Sequence, residues 1–163
     1  MNATLNSTQQ LTRQVWTRAF LGVILLAAIF FGTAGTLAYW QAWVYLFVLF
    51  TPLFAFVAYY LKHDPELLAR RMETRERQTT QKWIVVLGSI PYVFAFVLPG
   101  FDVRFGWSNV PVAVVLLADL VVLLAYALFV TVMSTNHYAA RTVRVEAGQQ
   151  VISSGPYHWV RHP

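Results

Sequence analysis

Between Arg18 and Lys62 the chain carries no charged side chain for 43 residues. A helix crosses the hydrocarbon core of a bilayer in about 20 residues. A run of this length is therefore two crossings joined by a tight turn. A soluble domain of 163 residues has too little interior to hide it. The whole chain agrees, being 58% hydrophobic and only 12% charged where soluble domains carry about 25% charge. A soluble enzyme, a disordered chain and a disulfide scaffold are thereby excluded. The absence of Cys also removes thiolate nucleophiles, iron–sulfur clusters and Cys zinc sites.

The first turn is expected in Gly32-Thr-Ala-Gly35, ahead of Tyr39, Trp40 and Trp43. Glycine loosens a helix, and Trp and Tyr favour the headgroup level. This puts the first spans near 19–37 and 42–61. Pro52 lies inside the second and predicts a kink, because it removes one backbone hydrogen bond. A third neutral run near 83–101 contains Pro91. A fourth, near 109–133, is interrupted only by Asp119. The expected fold is an all-α integral membrane protein. It has four transmembrane helices within residues 1–133 and a polar cytoplasmic tail over 134–163, with no internal repeat.

Orientation follows from charge. Of 12 cations, all but Arg104 lie before span 1, between spans 2 and 3, or after span 4. The positive-inside rule makes those segments cytoplasmic, both chain ends included. The net charge of +5 thus reads as membrane topology, and neither nucleic acid nor metal is expected as a partner. Span 1 also reads as a signal peptide, with Thr36-Leu37-Ala38 as its cleavage site. A second apolar span follows at once, so cleavage leaves the later topology unchanged.

Two polar features inside this frame carry alternatives. A carboxylate at the centre of a span costs roughly 2.5–3.5 kcal/mol on insertion scales, so Asp119 should face protein or water. It reads either as a packing hydrogen bond to Ser, Thr or Tyr of another span or as a proton or cation relay. In the 62–82 loop, Asp64-Pro65-Glu66 matches the N-cap and first turn of a helix. Leu67, Leu68 and Met72 form an apolar stripe beside Arg70, Arg71 and Arg75. This predicts an interfacial helix on anionic lipid, with substrate access as the other reading.

The tail holds the densest reactive cluster: Asn136, His137, Arg141, Arg144, Glu146, Tyr157, His158, Arg161 and His162. Thr142–Glu146 alternates like an extended segment. His158 and His162 stand four apart, but Pro156 and Pro163 bracket the pair and no third ligand is evident. A Gly-x-Ser-x-Gly hydrolase signature is absent.

The final stretch reads Ser154-Gly155-Pro156-Tyr157-His158-Trp159-Val160-Arg161-His162-Pro163. It resembles the signature of the isoprenylcysteine carboxyl methyltransferase family of membrane enzymes: Ser/Thr-Gly-Pro-Tyr, two variable residues, then Val-Arg-His-Pro. Weaker similarities run through Tyr39–Tyr45, Lys62–Glu66, Phe105-Gly-Trp107 and Asn136–Val143, and these look like bacterial members. The resemblance implies methyl transfer from S-adenosylmethionine to a carboxylate or another lipid-soluble or prenylated acceptor, in a bacterial inner membrane whose lipid is itself a partner. The cofactor-contacting positions it implies are Gln149, Gln150, Val151, Ile152, Gly155, Tyr157, His162 and Pro163. Arg161 and His162 are the implied catalytic residues. Arg161 suits a bidentate clamp on a carboxylate, and His162-Pro163 suits the start of a helix whose positive end attracts an anion. In the family this motif leads into further membrane helices that complete the pocket. The chain ends at Pro163, so an incomplete cofactor region is expected. Two further readings stay beside the carboxyl methyltransferase: a phospholipid N-methyltransferase, and a non-enzymatic membrane protein on the same scaffold.

Overall fold

The computed structural model describes residues 2–72, 79–135 and 154–158. Four long helices dominate: α1 (Asn2–Ala34), α2 (Trp40–His63), α4 (Thr79–Phe105) and α5 (Val112–Thr135), with the short α3 (Pro65–Met72) between α2 and α4. Each of the four contains a stretch long and apolar enough to cross a membrane. A single 3₁₀ turn, Gly155–His158, represents the tail. The extended segment expected at 142–146 lies outside the described residues.

The exterior of the bundle identifies its solvent. On α5 the buried residues are Asp119 and Met133. Leu117, Val121, Leu124 and Leu128 are exposed. Water would reverse that arrangement; lipid requires it, because an isolated carboxylate is costly in hydrocarbon and leucine is not. The protein is a multi-pass membrane protein.

Helix ends explain where the four spans deviate from expectation. Gly32 stays inside α1, and the chain turns only at Gly35 (φ 68°), whose N–H donates to the Phe31 carbonyl at 2.9 Å. Gly106 (φ 63°) ends α4 in the same way, donating to Asp102 at 2.7 Å. α4 consequently runs through Pro91 and Pro99 to Phe105, beyond the expected stop at 101. α2 continues through Pro52.

α1 and α4 run in one direction, α2 and α5 in the other. α1 packs on α2 and on α4, and α5 packs on α2. Among the described residues α4 and α5, though consecutive, do not pack on each other. Lipid offers no hydrophobic drive between helices, so close approach and interhelical hydrogen bonds must hold them. The α1–α4 crossing supplies the first. A Cβ on Gly100 would fall on the Thr33 hydroxyl and within 3.0 Å of the Phe30 carbonyl oxygen. The α2–α5 crossing supplies the second, with the Tyr126 hydroxyl donating to the Leu49 carbonyl at 2.7 Å. Phe30 sits where three elements meet, in edge contact with Tyr39, Tyr45 and Phe96.

α3 departs from the lipid-surface reading. Asp64 ends α2, its N–H bonded to Tyr60, and caps α3 through a carboxylate that accepts the Leu67 N–H at 3.0 Å. That reversal folds α3 back on protein. Leu67 is fully buried, and Leu68 is buried with it among Phe56, Tyr60 and Met133. Leu67 and Leu68, assigned to lipid, are instead a protein contact joining α2 and α5.

Candidate functional site

The bundle has two polar ends. One gathers α3 and the Gly155–His158 turn. The other gathers the α1–α2 and α4–α5 connections.

At the first end, the described part of the tail motif is a compact turn packed on α5. Gly155 has φ 59°, a conformation that side chains resist. A Cβ there would stand 2.9 Å from Thr135 Oγ1 and 3.2 Å from its Cγ2. Both constraints select glycine at this position of the motif. Tyr157 is half-buried, while Ser154 and His158 are exposed. Of the residues expected to bind cofactor, Gly155 and Tyr157 are therefore brought together against the end of α5. Gln149, Gln150, Val151, Ile152 and Pro163 lie outside the described residues, as do the expected catalytic residues Arg161 and His162. Near this end, His63 stacks on Tyr59 with ring centroids 4.2 Å apart and bonds its carbonyl through Nδ1 at 2.8 Å.

The second end holds a cavity of about 660 Å³ between α4 and α5, floored by α1 and α2. Its walls are Phe30, Tyr39, Tyr45, Tyr92 and Phe96, with Asp119 deeper and Asp102 among Ser108 and Asn109 at the connecting loop. Ser108 donates to Asp102 Oδ2 at 2.7 Å. Asp119 is 6% exposed, and its Oδ2 is buried without a hydrogen-bond partner. A packing hydrogen bond to another span thus leaves that oxygen unaccounted for. Burial, and secondarily the Asp102 carboxylate, raises the Tyr39 hydroxyl above its ordinary pKa, so the ring meets the cavity uncharged at neutral pH. Sequence reasoning singled out Asp119 and noted Tyr39 and Tyr45 only as headgroup-level or motif residues; it passed over Asp102, Phe30, Tyr92 and Phe96. Those residues lie on four elements, and their convergence has no local signature. Among the described residues, no group of three or more His, Asp or Glu is placed to hold a metal ion.

No protein-family profile, curated protein or solved structure matches the chain.

Proposed function

We propose that the protein is an integral membrane methyltransferase that draws on S-adenosylmethionine at the α3 end of the bundle and acts on a lipid-soluble acceptor, a prenylated carboxylate being the leading class. The observation that carries this reading is the Gly155–His158 turn. The described part of the most specific motif in the chain is packed on the end of α5, in a conformation that selects its glycine.

The residues present fit such a ligand. Tyr157, half-buried on a restrained turn, offers a flat ring suited to adenine or to a sulfonium. When bound, S-adenosylmethionine supplies an electrophilic methyl group. A carboxylate acceptor is already ionised at neutral pH and needs no base. The work of this chain is then to bind, to orient and to exclude water. Arg161 is the residue to pair with a bound carboxylate, the acceptor's or the cofactor's own methionyl carboxylate, and Gln149, Gln150, Val151, Ile152, His162 and Pro163 extend the cofactor contact. The distribution of cations supports a cytoplasmic position for this end, and the resemblance to bacterial members supports an inner membrane, where the cofactor is soluble and the acceptor arrives in lipid.

The test is a titration of the purified chain with S-adenosylmethionine. Saturable binding is expected, lost in Gly155→Ala and kept in Gly106→Ala. Both glycines have positive φ, but nothing lies within 4 Å of a Cβ on Gly106, so that variant controls for backbone strain. No saturable binding at millimolar ligand, with the fold intact, would overturn the proposal in favour of a non-enzymatic protein on the same scaffold.

A further inference from the structure

We infer that the cavity at the α1–α2 and α4–α5 turn end is a second binding site, separate from methyl transfer, for an amphiphilic organic ammonium ion.

Separation follows from distance. Asp119 and Thr135 are 16 residues apart on α5, which is about 24 Å along a helix. No group held at the Gly155–His158 turn reaches this cavity.

The ligand class follows from what surrounds the space. Its volume, about 660 Å³, suits a small molecule. The inner carboxylate, Asp119, is 6% exposed with Oδ2 unpartnered. A charge so placed needs a countercharge or a donor from a ligand. Among the described residues no Lys, Arg or His lines the cavity. Arg104, the described cation at this end, is turned away: its guanidinium lies beside Gly35 and 5.9 Å over the Phe105 ring. A hard metal ion is the wrong partner, since it wants several oxygens at 2.0–2.6 Å, and among the described residues no group of three or more His, Asp or Glu is placed to supply them. Tyr45, Tyr92, Phe30 and Phe96 instead line the space with aromatic rings, whose faces attract alkylammonium groups. Asp102, held by Ser108, adds a second negative charge in the wall. The route in is lateral. Because α4 and α5 do not pack on each other, an alkyl chain can stay in lipid while its head enters between them.

The experiment is equilibrium dialysis of labelled decyltrimethylammonium against the full chain in uncharged dodecylmaltoside micelles, with protein-free micelles as the blank. Saturable binding is expected, and the carbon isostere carrying a neopentyl-type head should fail to compete. Asp119→Asn should weaken binding about 10- to 100-fold. Tyr92→Ala, at an exposed residue, should weaken it about 3- to 10-fold. If Asp119→Asn does not fold, Tyr92→Ala and the isostere decide. Equal competition by the neutral isostere, or parental affinity in every folded variant, would overturn the site. Dihexanoylphosphatidylcholine tells the sources apart: strong competition identifies a lipid headgroup as the occupant, and weak competition a free amphiphile. The outcome is independent of S-adenosylmethionine binding.

Discussion

Replacing Gly100 by alanine should separate α1 from α4. The added methyl has no free volume to enter. It would fall on the Thr33 hydroxyl, stand 2.8 Å from the Thr33 Cβ, and lie within 3.0 Å of the Phe30 carbonyl oxygen. The hydroxyl is not free to swing aside without cost, because it donates to Ile29 O at 2.6 Å and Phe30 O at 3.2 Å. The carbonyl belongs to helix backbone and moves only with α1. Overpacking typically costs about 1–3 kcal/mol, and obstruction by backbone argues for the upper half, about 2–3 kcal/mol. Gly88 is the internal control. It lies on the same helix with nothing within 4 Å of a Cβ, so Gly88→Ala should be neutral or gain up to about 1 kcal/mol in helix propensity. The assay is reversible unfolding in mixed micelles, coupled to a spin-label distance between Leu25 and Val93. Both residues are exposed on α1 and α4, and the chain has no native Cys to remove. Thr33→Ala should restore part of the loss by removing the hydroxyl, and Thr33→Gly more by removing the Cβ as well. Equal stability of Gly100→Ala and Gly88→Ala, at unchanged distance, would refute the close-approach argument.

Asp64→Ala removes the cap of α3 and should cost about 1 kcal/mol, read as faster hydrogen exchange at the Leu67 amide with exchange in α1 unchanged. Reporter fusions after residues 76 and 104 should report opposite sides of the membrane; matching cytoplasmic signals would sink the four-span orientation. In the S-adenosylmethionine titration, Arg161→Ala and His162→Ala should each weaken binding about 10- to 150-fold, the loss of one charge-assisted hydrogen bond of about 1.5–3 kcal/mol. Arg161→Lys should rescue only in part, since an ammonium lacks the planar fork, and Arg75→Ala should leave affinity unchanged.

The fold class was legible in the sequence because its signal is local and long. Forty-three neutral residues must cross a bilayer twice, whatever they pack against, and a backbone in lipid must be helical. The α3 cap was equally legible, since Asp-Pro-Glu acts within one turn. Span ends were less so. Gly32 and Gly35 carry the same residue type, and only the helix-closing bond to Phe31 decides between them.

The tail motif was read by resemblance, and the structure adds a physical reason for its glycine: a positive φ beside Thr135, 20 residues earlier in the chain. The face of α3 was beyond sequence reasoning, because lipid and a protein groove both accept Leu67 and Leu68. So was the cavity. Asp119 stood out as a charge in an apolar run, but Tyr39, Tyr45, Tyr92 and Asp102 look in sequence like interfacial or span residues. Composition and periodicity determine that a helix lies in the membrane; which helices touch is decided by contacts of one or two atoms. The Gly100–Thr33 approach draws α4 onto α1 and the Tyr126–Leu49 bond draws α5 onto α2. Two consecutive helices are thereby drawn apart, and the space between them holds a buried carboxylate oxygen.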